Sequence, residues 1–133
     1  MIVKFAISFF LLIIFNYTAK SQTKVFTDSI YSFVEVTPEF PGGKRAFIDY
    51  ISSETYLPVN CNKENIYAKI NVSFVIDTGG FVQNVTFKKK IACADFENVL
   101  KKIFYFMPHW KPGEQNGKKV NVALNYPIYI NLN

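Results

Sequence analysis

The strongest constraint on the fold is an alternation of apolar and polar side chains in residues 120–133. A period of two predicts a β-strand with one buried and one solvent-facing side. This strand is long, and Pro127 in its middle lacks the N–H that a central strand needs. We therefore predict that part of it is a sheet edge, to which an extended peptide can add as a further strand. The residues predicted on the buried side are Val120, Val122, Leu124, Tyr126, Ile128, Ile130 and Leu132.

Composition places the chain among globular proteins. Its 133 residues are 50% hydrophobic and 19% charged, which excludes disorder and limits the chain to one domain. Two cysteines and one histidine cannot by themselves supply a four-ligand structural zinc site, and only a site completed by carboxylates is conceivable. We expect no metal and no cofactor. The net charge of +5 falls to +3 without residues 1–21, which hold two lysines and no acid. We therefore interpret Lys88, Lys89 and Lys90 as a solvated rim and expect no nucleic-acid partner.

The first residues have the layout of a secretory signal peptide. Residues 5–15 are uncharged and apolar, Lys4 precedes them, and the small residues Ala19 and Ser21 follow. A helix of this length covers roughly half of the ~30 Å hydrocarbon core of a membrane. We expect residues 1–21 to be cleaved and the mature chain to be periplasmic or secreted. The alternative is an uncleaved signal anchor in the inner membrane.

Export from the cytoplasm would also change the expected oxidation state of the two cysteines. An oxidising compartment favours a disulfide between Cys61 and Cys93. The bridge closes a loop of about thirty residues, for which the loop-entropy model gives on the order of 3 to 4 kcal/mol of stabilisation. The alternative is two separately buried thiols.

The N-terminal half of the mature chain contains an arm, a turn and a short helix. Residues 22–34 show no sustained period, which leaves open whether this arm pairs with the sheet or hangs loose. Two prolines and two glycines in residues 38–43 predict a structured turn. Apolar residues at helical spacing then predict a helix over about residues 44–52, which Pro58 prevents from continuing.

The pattern changes to strands and then returns to a helix. Alternation from Ala68 onward predicts a strand, and residues 77–80 supply turn chemistry before a second strand over residues 82–88. Asp95 is predicted to cap a second helix that Pro108 ends. Its apolar stripe is predicted to lie on the sheet: Phe96, Val99, Leu100, Ile103, Phe104 and Met107.

No catalytic arrangement is predicted. The single histidine, His109, lies in a Pro-His-Trp turn, and the chain has no Gly-x-Ser-x-Gly elbow, metal-ligand cluster or phosphate-binding glycine loop. We therefore expect a protein that is not an enzyme and has no small-molecule substrate.

Residues 107–120 read MPHWKPGEQNGKKV, and Tyr126, Pro127 and Ile128 follow in the predicted strand. This block resembles the signature of the TonB C-terminal domain family, in particular its short Bacteroidetes-type members. Residues 38–43 resemble the family's Pro-x-Phe-Pro-Gly-Gly motif, and residues 72–77 with the next glycines resemble its first hairpin. The resemblance spans about residues 34–132. Its motif residues are Pro38, Phe40, Pro41, Gly42, Gly43, Pro108, Trp110, Lys111, Pro112, Gly113, Gly117 and Lys118. Within the block we expect Trp110 to plug the end of the core, and Pro112 with Gly113 to turn the chain.

Together with the predicted elements, the resemblance implies an α+β fold over residues 35–133. A hairpin and the long C-terminal strand form a small antiparallel sheet, with two helices packed on one face. The family resemblance further implies a periplasmic domain that pairs its last strand with the N-terminal segment of an outer-membrane TonB-dependent receptor. It also implies that this pairing serves transmembrane transport by the receptor.

The usual energy transducers of the family also have a membrane-spanning helix and a long proline-rich linker. Residues 22–37 contain no proline and, with the step to Pro38, reach at most about 55 Å when stretched. We therefore expect an exported binding domain. The alternatives are a minimal transducer anchored by residues 1–21 and a self-associating module, such as a homodimer.

Overall fold

The computed structural model describes residues 29–62, 64, 66 and 69–130. The predicted signal segment, residues 22–28 of the arm, Ala68 and Leu132 lie outside the described residues. Within them the chain forms two helices and five strands. In chain order these are β1 (Ile30–Tyr31), α1 (Gly43–Glu54), β2 (Lys69–Ile76), β3 (Val82–Phe87), α2 (Ala94–Tyr105), β4 (Gly113–Gln115) and β5 (Lys118–Tyr129).

The predicted α+β fold is confirmed, with one correction to the sheet. The strand order is β1-β5-β2-β3, and β4 pairs with the first residues of β5. β5 runs antiparallel to β2, with Ile128 opposite Ile70 and Leu124 opposite Phe74. β1 pairs with β5 in parallel, so the sheet is mixed and not purely antiparallel. β1 has only two residues, which are too few to show an alternation of apolar and polar side chains. The sequence of the arm therefore did not predict a strand.

The β2–β3 hairpin contains a bulge. The register shifts between Ser73 and Val75, and Asn84 on β3 has a φ of 51°. An extra residue on one strand reverses which side the next side chain faces. Val82 and Val85 are both buried for this reason, although they are three positions apart and would face opposite sides of a regular strand.

Both helices differ from their predicted ends. α1 runs to Glu54, and the N–H and hydroxyl of Thr55 both donate to the carbonyl of Ile51, at 3.1 and 2.6 Å. The helix therefore ends two residues later than predicted, with Thr55 as its C-cap, and still stops before Pro58. α2 begins at Ala94, so Asp95 is not the cap but lies in the first turn, where its charge suits the helix dipole.

The core lies between the two helices and one face of the sheet. Tyr50 of α1 connects the helices, because its hydroxyl donates to the carbonyl of Ile103 at 3.2 Å. Burial raises the pKa of Tyr50 above its ordinary value, and the charge of Glu54 raises it further. The largest fully buried side chains of the core cluster are Phe74, Phe96, Phe104, Ile76, Leu100 and Val72.

Cys61 and Cys93 form a disulfide, as predicted. It joins the loop after α1 to the residue immediately before α2, across a sequence separation of 32. The bridge thus ties both helices into one unit on the sheet.

We expect the Cys61→Ala/Cys93→Ala variant to lose about 2 to 4 kcal/mol of unfolding free energy, because its unfolded chain is no longer cross-linked. Urea titration of the oxidised protein and the variant measures the difference. Adding dithiothreitol should destabilise the parent and leave the variant unchanged. Equal stability of the parent with and without reductant would contradict a stabilising bridge.

Tyr50→Phe should lower the unfolding free energy by about 0.5 to 1.5 kcal/mol at neutral pH, through loss of the bond to Ile103. The raised pKa of Tyr50 means that the neutral phenol stabilises the fold below about pH 10 and that this contribution disappears as pH rises further. Urea titrations at neutral pH and above pH 10 should therefore show a smaller loss of stability in the variant than in the parent. A steeper loss in the variant would refute this role.

Candidate functional site

The side-chain pattern predicted for the last strand is confirmed over its described part. Val122 and Ile128 are buried. Their neighbours on the same side, Val120, Leu124, Tyr126 and Ile130, are half-buried, whereas Pro127 is exposed on the opposite side. The strand begins at Lys118, two residues before its predicted start.

β5 has an unpaired edge in the described part of the chain. On one side it pairs with β4 at Lys118 to Val120 and with β2 from Val122 to Tyr129. On the other side only β1 pairs with it, opposite Asn121 and Val122. From Ala123 to Tyr129 the strand therefore has a described partner on one side only, as the edge prediction requires.

The neighbouring strands show which backbone groups point to this edge. The carbonyl of Asn71 accepts from the N–H of Lys88 at 3.0 Å, so Asn71 directs its backbone groups toward β3 and away from β5. Its partner on β5 is Pro127. Because antiparallel pairs alternate between bonded and non-bonded, the backbone groups of Pro127 face the open edge. The missing N–H of Pro127 thus costs the sheet no hydrogen bond.

The same alternation identifies the available groups. Asn125 and Tyr129 share the backbone direction of Pro127, so each presents an N–H and a carbonyl at the open edge. Ala123 has the same direction, but its N–H faces the carbonyl of Tyr31, because β1 runs parallel to β5 with Tyr31 opposite Val122. Pro127 presents only a carbonyl. From Asn125 to Tyr129 an extended segment can bond to this edge everywhere except at one donor position.

A groove of about 450 Å³ runs between this edge and α1. One face of the helix forms its wall, with Lys44, Phe47, Ile48, Ile51 and Ser52. Residues 125–129 of β5 form the other wall. Ile48 is 52% exposed, so the groove offers an apolar surface beside unpaired backbone groups. The sequence pattern did not predict this groove, since Ile48 lies beside the predicted apolar face of the helix.

The aromatic residues of the two motifs meet beside the groove. The ring of Trp110 lies 5.5 Å from Phe40, 5.4 Å from Phe47 and 5.7 Å from Phe74, measured between centroids. Trp110 is buried, as expected of a residue that plugs the core. The ring of Phe47 lies 5.1 Å from that of Tyr126 on β5, and this contact fixes α1 beside the strand.

The motifs are also joined through their backbones. Glu39 and Lys111 exchange two hydrogen bonds, at 3.1 and 2.8 Å. The chain continues extended from Lys111 into β4, so the turn predicted at Pro112 and Gly113 is wrong. The paired backbone of Glu39 keeps the chain straight at this point.

The glycine-rich turns follow their expected chemistry. The N–H of Gly43 donates to the carbonyl of Phe40 at 2.7 Å, which closes a turn with Pro41 and Gly42 at its centre. Pro38 lies two residues before this turn and is buried. Asn116 and Gly117 both have positive φ, 52° and 73°, and form a two-residue hairpin between β4 and β5.

A further glycine contact was not predicted. The N–H of Trp110 donates to the carbonyl of Gly80 at 2.9 Å, and a Cβ on Gly80 would overlap the carbonyl of Trp110.

Two residues of the block 107–120 lie away from the groove. Pro108 is exposed, and the exposed ring of His109 packs on Phe81 at 4.0 Å.

No protein-family model matches the chain, and no curated protein matches it in sequence. Neither helix in the described part of the chain has the length and apolar character needed to cross a membrane.

Pro127→Val restores an N–H at the open edge, and we expect this variant to self-associate more strongly than the parent, since unpaired edges pair with one another. Light scattering over a concentration series measures the change in mean mass. Thr86→Val, at an exposed position on β3, adds the same side chain without an edge donor and should behave as the parent does. If Pro127→Val and the parent show the same mass at every concentration, Pro127 does not protect the edge.

Proposed function

We propose that this protein is an exported TonB-like C-terminal domain that binds the N-terminal segment of an outer-membrane TonB-dependent receptor by strand addition. The observation that carries the proposal is the unpaired edge of β5 from Ala123 to Tyr129 beside an apolar groove. The edge supplies backbone hydrogen bonds, and the groove supplies contacts for alternate side chains of the added strand. The motifs that resemble the family lie in the turn and the block that position α1.

Pairing within the chain itself supports strand addition at this edge. β1 already adds to β5, with Ile30 opposite Asn121 and Tyr31 opposite Val122. Both β1 residues are exposed, so backbone pairing and not side-chain burial accounts for much of the contact. A receptor segment would continue the same edge toward Tyr129, in the space that β1 leaves.

The protein acts in this proposal as a binding module of the periplasm, in TonB-dependent transport, and not as an enzyme. A minimal transducer anchored by residues 1–21 is the alternative for localisation. Mass measurement of the protein recovered from its host distinguishes the two, since a chain that begins at Gln22 supports export and one that retains residue 1 supports the anchor.

The binding surface is tested by titrating the chain with synthetic N-terminal receptor segments in isothermal calorimetry. Asn125→Pro removes a donor from the open edge without touching the backbone side that pairs with β2, and should bind about tenfold or more weakly than Asn125→Ala, which lacks the same side chain but keeps the N–H. Thr86→Ala changes an exposed side chain of β3 and should leave the affinity unchanged.

Two results would contradict the proposal. Equal affinity of Asn125→Ala and Asn125→Pro would show that the segment binds elsewhere. Absence of binding by every receptor segment, with a dimer seen in light scattering, would favour the self-associating homodimer instead.

A further inference from the structure

The edge of β5 that faces away from β2 has two unequal stretches. Over Asn121 to Ala123 it is covered by β1, because Tyr31 lies opposite Val122 in a parallel pair and its backbone groups bond to the residues on either side. From Asn125 to Tyr129 no strand of the described chain covers it. A bound segment that spans only the second stretch leaves β1 in place, whereas a longer one meets it.

β1 is held weakly on the sheet. It is two residues long, and both side chains are exposed, Ile30 by 51% and Tyr31 by 37%. Backbone hydrogen bonds therefore provide much of its attachment, and such bonds contribute little at an exposed edge because water competes for the same groups. Phe33, two residues further on, is 92% exposed. Few buried contacts and exposed backbone bonds are typical of a segment that opens locally while the rest of a domain stays folded.

The chain is anchored firmly a few residues beyond β1. Val36 exchanges two backbone hydrogen bonds with Glu114 of β4, at 3.1 and 2.9 Å. The N–H of Glu35 donates to the side chain of Gln115 at 3.1 Å, and Pro38 is buried. β1 can therefore leave β5 and return without disturbing the turn before α1, next to which the groove lies.

We propose that β1 is a built-in competitor of the receptor segment, an inference that rests on the proposed function and concerns the regulation of its site. A short segment pairs at Asn125 to Tyr129 beside β1. A longer segment takes over the carbonyl of Asn121 and the N–H of Ala123, to which Tyr31 is bonded, and β1 leaves the sheet. Because one set of backbone bonds replaces another of the same kind, β1 lowers the affinity for long segments and leaves that for short ones unchanged.

Amide hydrogen exchange of the protein without a partner tests whether β1 opens. The amide of Ala123 should exchange more slowly than that of Asn125, which β1 does not reach, and faster than that of Leu124, which faces β2. Tyr31→Pro removes the N–H that bonds to Asn121, and the amide of Ala123 should then exchange as fast as that of Asn125. Tyr31→Ala keeps the N–H and is the matched control, in which the amide of Ala123 should stay protected.

Competition is measured by isothermal calorimetry with pairs of synthetic N-terminal receptor segments, one as long as the stretch from Asn125 to Tyr129 and one lengthened at either end. The longer segment should bind Tyr31→Pro about tenfold more tightly than Tyr31→Ala, since a site that is open about one-tenth of the time loses tenfold in apparent affinity. The short segment should bind both variants equally. In the parent, only the longer segment should shift the amide resonances of Ile30 and Tyr31.

Two results would overturn the inference. One is an amide of Ala123 that is as protected as that of Leu124 in the parent and in both variants. The other is equal affinity of the longer segment for Tyr31→Pro and Tyr31→Ala. Either result leaves the proposed function standing as long as the short segment binds. If neither segment binds the parent or a variant, the proposed function fails and the competition fails with it.

Discussion

Phe47 of α1 packs its ring against four other aromatic rings, and the arrangement of the domain depends on this packing. Its neighbours are Phe40, Phe104, Trp110 and Tyr126, at centroid distances of 5.1 to 6.3 Å. One side chain thus connects the turn before α1, the second helix, the block after it and the last strand. Each such ring pair adds roughly 0.5 to 1.5 kcal/mol beyond the area that it buries. The groove beside β5 follows from the position of α1 that these contacts fix.

In the proposed function, the edge of β5 must stay open for a partner and must also be kept from pairing at random. Local features in the described part of the chain suit both requirements. Pro127 removes one donor from the edge, β1 covers its beginning, and α1 stands beside the remainder. A partner of the proposed kind would be an extended segment narrow enough to lie between the helix and the strand. Side chains that face the groove, such as Ile48 and Lys44, would then contribute to selectivity.

Much of this architecture could be predicted from the sequence, because the features concerned repeat at short range. The alternation in β5, the stripe of α2, the hairpin after β2 and the disulfide all follow from period, turn chemistry and cysteine number. The parallel pairing of β1, the bulge at Asn84 and the bridge between Glu39 and Lys111 depend on contacts between distant segments, which leave no local signal. At the candidate site, Pro127 indicated from the sequence that β5 is an edge strand. The groove could not be predicted, because it is formed by α1 and β5 together and depends on how the helix packs beside the strand.

Amide hydrogen exchange along β5 shows directly whether the edge of the strand is open, because the two sides of the same strand can be compared. In the protein without a partner, the amides of Asn125 and Tyr129 should exchange quickly, and those of Leu124, Tyr126 and Ile128, which face β2, should exchange slowly. A receptor segment should then slow the first two and leave the others unchanged. An open edge that binds the segment is contradicted if all five amides are already protected without a partner, or if a bound segment slows neither of the first two.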